Sequence, residues 1–202
     1  MLTEAERQRV AEAIREAESH TAGEIVVVVA RAASGYRSVP LVYALLGALA
    51  TPWPLIAFTA LTASRIFMLQ LAAALVLLAV LSWPGLRLAL VPAFVKRARC
   101  REAAAREFVA RGLTRTRGRT GVIIYIAEAE RYAEVIADTG IADRVDQGVW
   151  RTTIEDLVTA LREGRGADGL GAAVGRVGAI LAEHAPVRAD DADELPNKVI
   201  LI

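Results

Sequence analysis

The chain has 202 residues, 54% hydrophobic and 23% charged, with 24 basic against 23 acidic side chains and a formal net charge of +1. Its mean hydropathy is +0.38, and soluble domains run at about 45–50% apolar residues. This composition excludes a mostly disordered chain, a disulfide scaffold, since Cys100 is the single cysteine, and a polycationic nucleic-acid binder.

The apolar residues are unevenly placed along the chain. Thr3 and Glu6 form a capping box for a first helix, whose apolar face carries Val10, Ile14 and Ala17 and which stops at Gly23. Glu24–Ala30 then runs apolar on both faces, the pattern of a strand in the middle of an α/β sheet. The next residues, Arg31-Ala32-Ala33-Ser34-Gly35, lack the Gly-rich pattern of a nucleotide-binding loop.

Two charge-free stretches follow, 27 residues between Arg37 and Arg65 and 21 between Arg65 and Arg87. A helix needs roughly 20 apolar residues to cross a bilayer's hydrocarbon core. The stretches therefore predict a transmembrane hairpin, with spans near Leu41–Leu61 and Ile66–Trp83 joined by the Thr62–Arg65 break. The Pro52-Trp53-Pro54 cluster should kink or interrupt the first span, and Trp83 sits where an interface aromatic belongs. No Asp, Glu, Lys or Arg lies within either span, which argues for an anchor over a transporter or channel; Gln70 suits a bond to a neighbouring helix. The polar opening residues do not read as a signal peptide. Arg31 and Arg37 precede the hairpin and Arg87, Lys96, Arg97, Arg99 and Arg101 follow it. Basic flanks place both termini in the cytoplasm, at the inner membrane.

A helix over Pro92–Arg111 comes next, then a basic loop with Arg115, Arg117 and Arg119. Gly121–Ala127 predicts a second buried strand and Tyr132–Ala137 a third, antiparallel to the second across the Glu128–Arg131 turn. Helices are expected over Val149–Glu163, with Trp150, Ile154, Leu157, Val158 and Leu161 at helical spacing, and over Ala167–His184. Gly171, Gly175 and Gly178 lower helix propensity in the latter, so close packing on the sheet is expected there. After Pro186 the chain turns acidic and ends on an apolar run. That tail is read either as solvated or as a short strand, Lys198–Ile202, on a sheet edge. The domains are thus residues 1–39, a hairpin at 40–89, residues 90–185, and an acidic tail at 186–202. The first and third parts join into one α/β/α domain with a mixed sheet, because neither can bury its strands alone.

The order of elements and several segments resemble the TPM domain family, in its bacterial membrane-embedded branch. The segments are LTEAERQRVAEAIREAESHTAGEIVVVV, RTRGRTGVIIYIAEAERYAEVIADTGIADRV, the helix beginning at Trp150, and GLGAAVGRVGAILAEHAP. The resemblance implies a three-layer α/β/α sandwich, commonly membrane-tethered. It implies no single activity, since members are linked variously to weak acid phosphatase activity, calcium binding, photosystem repair and receptor modulation.

Two clusters could carry chemistry. Asp138, Asp143 and Asp146, with Glu24 or Glu128 from neighbouring strand ends, could offer oxygens to Ca²⁺ or another divalent cation; the same aspartates are equally suited to capping helices. Arg115, Arg117 and Arg119 could lie against lipid headgroups, grip a phosphate, or form a plain solvated loop, and Arg119 could pair with Glu128 or Glu130. Cys100 lacks a C-x5-R signature and reads as a small apolar residue; His20 and His184 end helices. The reading that follows is a membrane-anchored, non-catalytic accessory or assembly factor for membrane proteins. Its partners are the bilayer, a membrane protein and a second copy of itself, with no nucleic acid and no required cofactor. The alternative is a weak metal-dependent acid phosphatase.

Overall fold

The computed structural model describes residues 2–187 and 194–202. The chain divides into two compact units, Met1–Ala33 with Arg97–Ile202, and Ser34–Lys96.

The first unit is built on a four-stranded mixed sheet in the order β3-β2-β1-β4. Strand β1 is Ile25–Ala30, β2 Val122–Ala127, β3 Tyr132–Ala137 and β4 Val199–Leu201. β1 and β2 pair in parallel from Ile25↔Val122 to Ala30↔Ala127, and β3 runs antiparallel to β2. Every residue of β1 and β2 is buried, because both faces are covered. On one face Ile25, Val27, Val29, Val122, Ile124 and Ile126 meet helices α1 (Glu4–Glu18), α8 (Gln147–Arg162) and α9 (Gly166–His184) through Ile14, Leu157, Leu170, Val177 and Leu181. On the other, Val26, Val28, Ile123 and Tyr125 meet Cys100, Ala103, Ala104 and Phe108 of α6 (Ala93–Ala110), with Leu113 beside them. The alternation of a pleated strand divides one apolar run between two cores. Each fully buried Ile or Leu is worth about 1.5–3 kcal/mol. The result is the three-layer α/β/α arrangement expected from the sequence.

Thr3 caps α1 as read: its side chain accepts from the Glu6 N–H while the Glu6 carboxylate accepts from the Thr3 N–H at 2.7 Å. The exposed Glu6 carboxyl is held below its ordinary range, first by that backbone N–H and then by the Thr3 hydroxyl. The glycines of α9 behave differently from expectation. Gly178 packs on Ala17 of α1 and Gly169 on Ala160 of α8, whereas Gly171 and Gly175 face open space. Close helix–helix approach, not the sheet, requires the first two. The tail resolves into a strand: β4 pairs in parallel with β1, Val27↔Val199 to Val29↔Leu201, while the acidic residues Asp190, Asp191 and Asp193 lie outside the described residues.

The second unit holds helices α2 (Ser38–Ala50), α3 (Pro52–Phe58), α4 (Ala63–Leu81) and α5 (Pro84–Leu90). Ser38–Phe58 and Ala63–Leu81 are each long and apolar enough to cross a membrane. The proline cluster interrupts hydrogen bonding rather than direction. Thr51 keeps right-handed helical angles (φ −57°, ψ −41°), and Pro52 falls at the first turn of α3, where an N–H is not needed. Trp83 lies past the end of α4 and leads into α5. Small residues line the α2 side of the α2–α4 contact: Ala44 and Ala48 are buried, and a Cβ at Gly47 would strike Leu77. The large apolar side chains point outward, among them Leu45 and Leu75, 59% and 60% exposed.

Candidate functional site

Of the carboxylates singled out from sequence, Glu24 and Asp138 lie at one end of the sheet and Glu128 at the other. Asp138 follows β3, is 4% exposed, and caps the short helix α7 (Thr139–Ala142) by accepting the Thr139 N–H at 2.7 Å. Its other oxygen, Oδ2, lies 2.9 Å from Arg119 Nε. Arg119 therefore pairs with Asp138, not with Glu128 or Glu130. It stands at φ +54°, a left-handed conformation that a side chain adopts at some cost. The Gly140 N–H donates to the Arg119 carbonyl at 3.0 Å, and a Cβ on Gly140 would collide with the backbone carbonyls of Gly118 and Arg119. Gly140 is thus required for close backbone approach.

Glu24 is buried just before β1, and its Oε1 accepts the Glu194 N–H at 3.0 Å. Glu194 in turn accepts from the Arg117 N–H at 3.3 Å. Glu24 and Glu194 thus join the start of β1, the basic loop and the C-terminal segment. Asp146 caps α8, accepting the Gly148 N–H at 2.6 Å. Asp143 is exposed at the end of α7. Among the described residues no group of three or more His, Cys, Asp or Glu could hold a metal ion. Asp138, Asp146 and Glu24 each accept from a backbone N–H, and Asp138 also pairs with Arg119. Arg115 ends the turn Leu113–Arg115 and Arg117 lies on the loop after it; both are exposed.

The opposite end of the sheet carries what sequence reading missed. At the C-terminal ends of β1 and β2 lies an open cavity of about 590 Å³ with an apolar floor of Val29, Ile126 and Leu170. Its rim holds Glu6, Glu128, Arg131 and Arg162, with Gly166 and Ala167 at the start of α9. No side chain caps α9. Crevices beyond strand C-termini are where open α/β sheets place ligands. The signal available in the sequence was the Gly164-Arg165-Gly166 break before α9.

Nucleophiles are withdrawn. Cys100 is fully buried, and burial, reinforced by Glu130 and Glu134, pushes its thiol up to about 12. Burial likewise pushes Tyr125 and Tyr132 up to about 12, with Tyr132 donating to Glu134 Oε2 at 3.0 Å. A thiol held protonated at neutral pH is a poor attacking group.

A mixed sheet with helices on both sides defines the class as an α/β/α domain. The sequence pattern of the TPM domain family matches residues 83–180, and the chain carries a TPM domain. The fold is also that of the NMR structure of BA42 protein from the psychrophilic bacterium Bizionia argentinensis. The TM-score is 0.63 at 22% identity, over 100% of this chain and 96% of that one. No curated protein matches the chain.

Proposed function

We propose that this protein is a TPM domain anchored in the membrane by its apolar hairpin, acting as a non-catalytic accessory or assembly factor for membrane proteins. The observation that carries this reading is the placement of side chains on the 21-residue and 19-residue apolar helices. Leu45, Leu49, Trp53, Phe58, Phe67 and Leu75 face outward while Ala44 and Ala48 face inward. In water that surface would be an unusually large exposed apolar patch; in lipid it is matched to its solvent. The basic flanks support a cytoplasmic domain. The accessory role is supported by the use of the buried carboxylates in caps and ion pairs and by the masked Cys100 thiol.

Fractionation of the full chain after alkaline carbonate extraction tests the anchor; retention in the membrane pellet is expected, and release overturns it. Photo-crosslinking from Arg131 and Arg162 on the cavity rim in intact cells tests the accessory role. A discrete membrane-protein adduct is expected. Phosphate release by the purified chain that is lost in Asp138→Ala would overturn the non-catalytic reading.

A further inference from the structure

We infer that the cavity beyond the C-terminal ends of β1 and β2 is a recognition pocket for an apolar carboxylate, an aliphatic or aromatic body that ends in a single carboxylate group. The inference goes beyond the accessory reading and does not depend on the anchor, because every residue lining the cavity belongs to the first unit. Its volume of about 590 Å³ lies within the range of about 300–1,000 Å³ typical of small-molecule sites. The floor suits the body of such a ligand. Val29, Ile126 and Leu170 are buried beneath the cavity, and Val158 and Leu161 stand half-buried in its lining. Apolar surface facing a crevice favours an apolar occupant over water.

The rim decides the charge of the ligand. It holds Arg131 and Arg162 against Glu6 and Glu128, so formal charge alone selects nothing; the partners of these groups do. Glu6 accepts from the Thr3 N–H at 2.7 Å and from the Thr3 hydroxyl at 2.8 Å, and Glu128 is likewise engaged. Arg131 and Arg162 are exposed and make no ion pair or side-chain hydrogen bond among the described residues. Arg165, three residues beyond Arg162, is by contrast held by Glu163 at 3.1 Å. The free donors at this rim are therefore guanidinium forks, whose geometry matches a carboxylate or a phosphate. A phosphate ester brings nearly two negative charges beside Glu6 and Glu128, whereas a carboxylate brings one, so the rim favours the monoanion. The backbone adds to this. Arg131 closes the β2–β3 turn at φ +52°, a left-handed conformation that glycine or asparagine adopts at lower cost. Its N–H donates to the Glu128 carbonyl at 3.1 Å, a bond that glycine would make equally well. The turn thus calls for glycine, and the arginine there is strained in the manner of residues kept for their side chains. Two sources present an apolar carboxylate: the C-terminal residue of a polypeptide and a free acid.

The test is calorimetric titration of the full chain in phosphatidylcholine nanodiscs, with empty nanodiscs as the blank. The probes are phenylbutyrate and an acetylated tripeptide ending in phenylalanine, each compared with its amide. Binding of an acid without binding of its amide is the expected result, and the acid that binds more tightly identifies the source. Arg131→Gly should weaken that binding by at least about tenfold, while the melting temperature holds or rises because glycine relieves the left-handed residue, a combination that misfolding cannot mimic. Arg162→Gln, an exposed change on α8, should cause a similar loss with the turn untouched. Equal binding of acid and amide assigns the cavity to apolar contact alone and overturns the carboxylate, as does tighter binding of phenylbutyl phosphate. Unchanged affinity in both arginine variants overturns the role of the rim. Failure of both acids to bind at millimolar concentration overturns the pocket and leaves the extraction and crosslinking tests of the accessory reading standing.

Discussion

The TPM domain and the hairpin use the same aliphatic side chains with opposite orientation. In the domain, Ile14, Ile124, Leu170 and Leu181 are sealed between layers, and charged residues stay outside or are paired. In the hairpin, Leu45, Phe58, Phe67 and Leu75 face out, while Ala44 and Ala48 are buried and Gly47 packs against Leu77. On the anchored reading proposed above, the difference follows from the solvent and not from apolar content. Water drives large side chains together. Lipid offers no such drive, so helices there associate through small residues that allow close backbone approach.

Paired substitutions test this contrast most strongly. Leu181→Ala empties a fully buried position and should cost about 2–5 kcal/mol of domain stability. Leu75→Ala, at an outward position of α4, should change it by no more than about 0.5 kcal/mol. Denaturant titration of the full chain in detergent, read by domain fluorescence, checks both; equal losses would break the comparison. Leu75→Arg should instead act on insertion, at about 2.5–3.5 kcal/mol near the middle of a span. A glycosylation or protease-protection assay reads that cost, and unimpaired insertion would return the hairpin to a water-facing role.

A smaller effect separates capping from ligation. Asp138→Ala removes the α7 cap and the Arg119 partner and should destabilise the domain by about 1–2 kcal/mol, whereas exposed Asp143→Ala should be near neutral. Thermal melts in chelator and in millimolar Ca²⁺ should coincide; a calcium-dependent rise abolished by Asp138→Ala would establish the cation site.

The smallest expected effects concern proton release. Cys100, Tyr125 and Tyr132 are pushed up to about 12 by burial, so the unfolded chain loses these protons first as pH rises. Their contribution to stability is intact below about pH 9 and declines between that point and pH 12. Alkaline unfolding monitored by tyrosinate absorbance should be cooperative within that window. At pH 8 a thiol reagent should label Cys100 only after denaturant is added.

Much of the architecture is legible in the residues because it follows from periodicity and chain-local chemistry. The Thr3–Glu6 box, the β2–β3 hairpin from Val122 to Ala137, and the two apolar helices are cases in which a few neighbouring side chains decide the outcome. Strands apolar on both faces correctly announced a covered sheet. The candidate site was less legible. Asp138, Asp143, Asp146 and Glu24 look alike in sequence, and a carboxylate beside a glycine suits a helix cap, an ion pair or a cation equally. Asp138 is decided by Arg119, which stands 19 positions earlier and reaches it only through the pairing of β2 with β3. Gly178 reads as a weakness of α9 until Ala17 of α1 is placed against it.

The sequence by itself determined where the positive hydropathy lives, the alternation of helices and strands, and the double burial of β1 and β2. These depend on the order of side chains along one segment. Only the tertiary structure decided that the C-terminal run returns as a parallel strand beside β1, that the carboxylates are spent on backbone amides and an arginine, and that Arg131 and Arg162 share a cavity rim. Those outcomes depend on which distant groups the fold brings together, and a burial penalty on unpaired polar atoms favours their pairing.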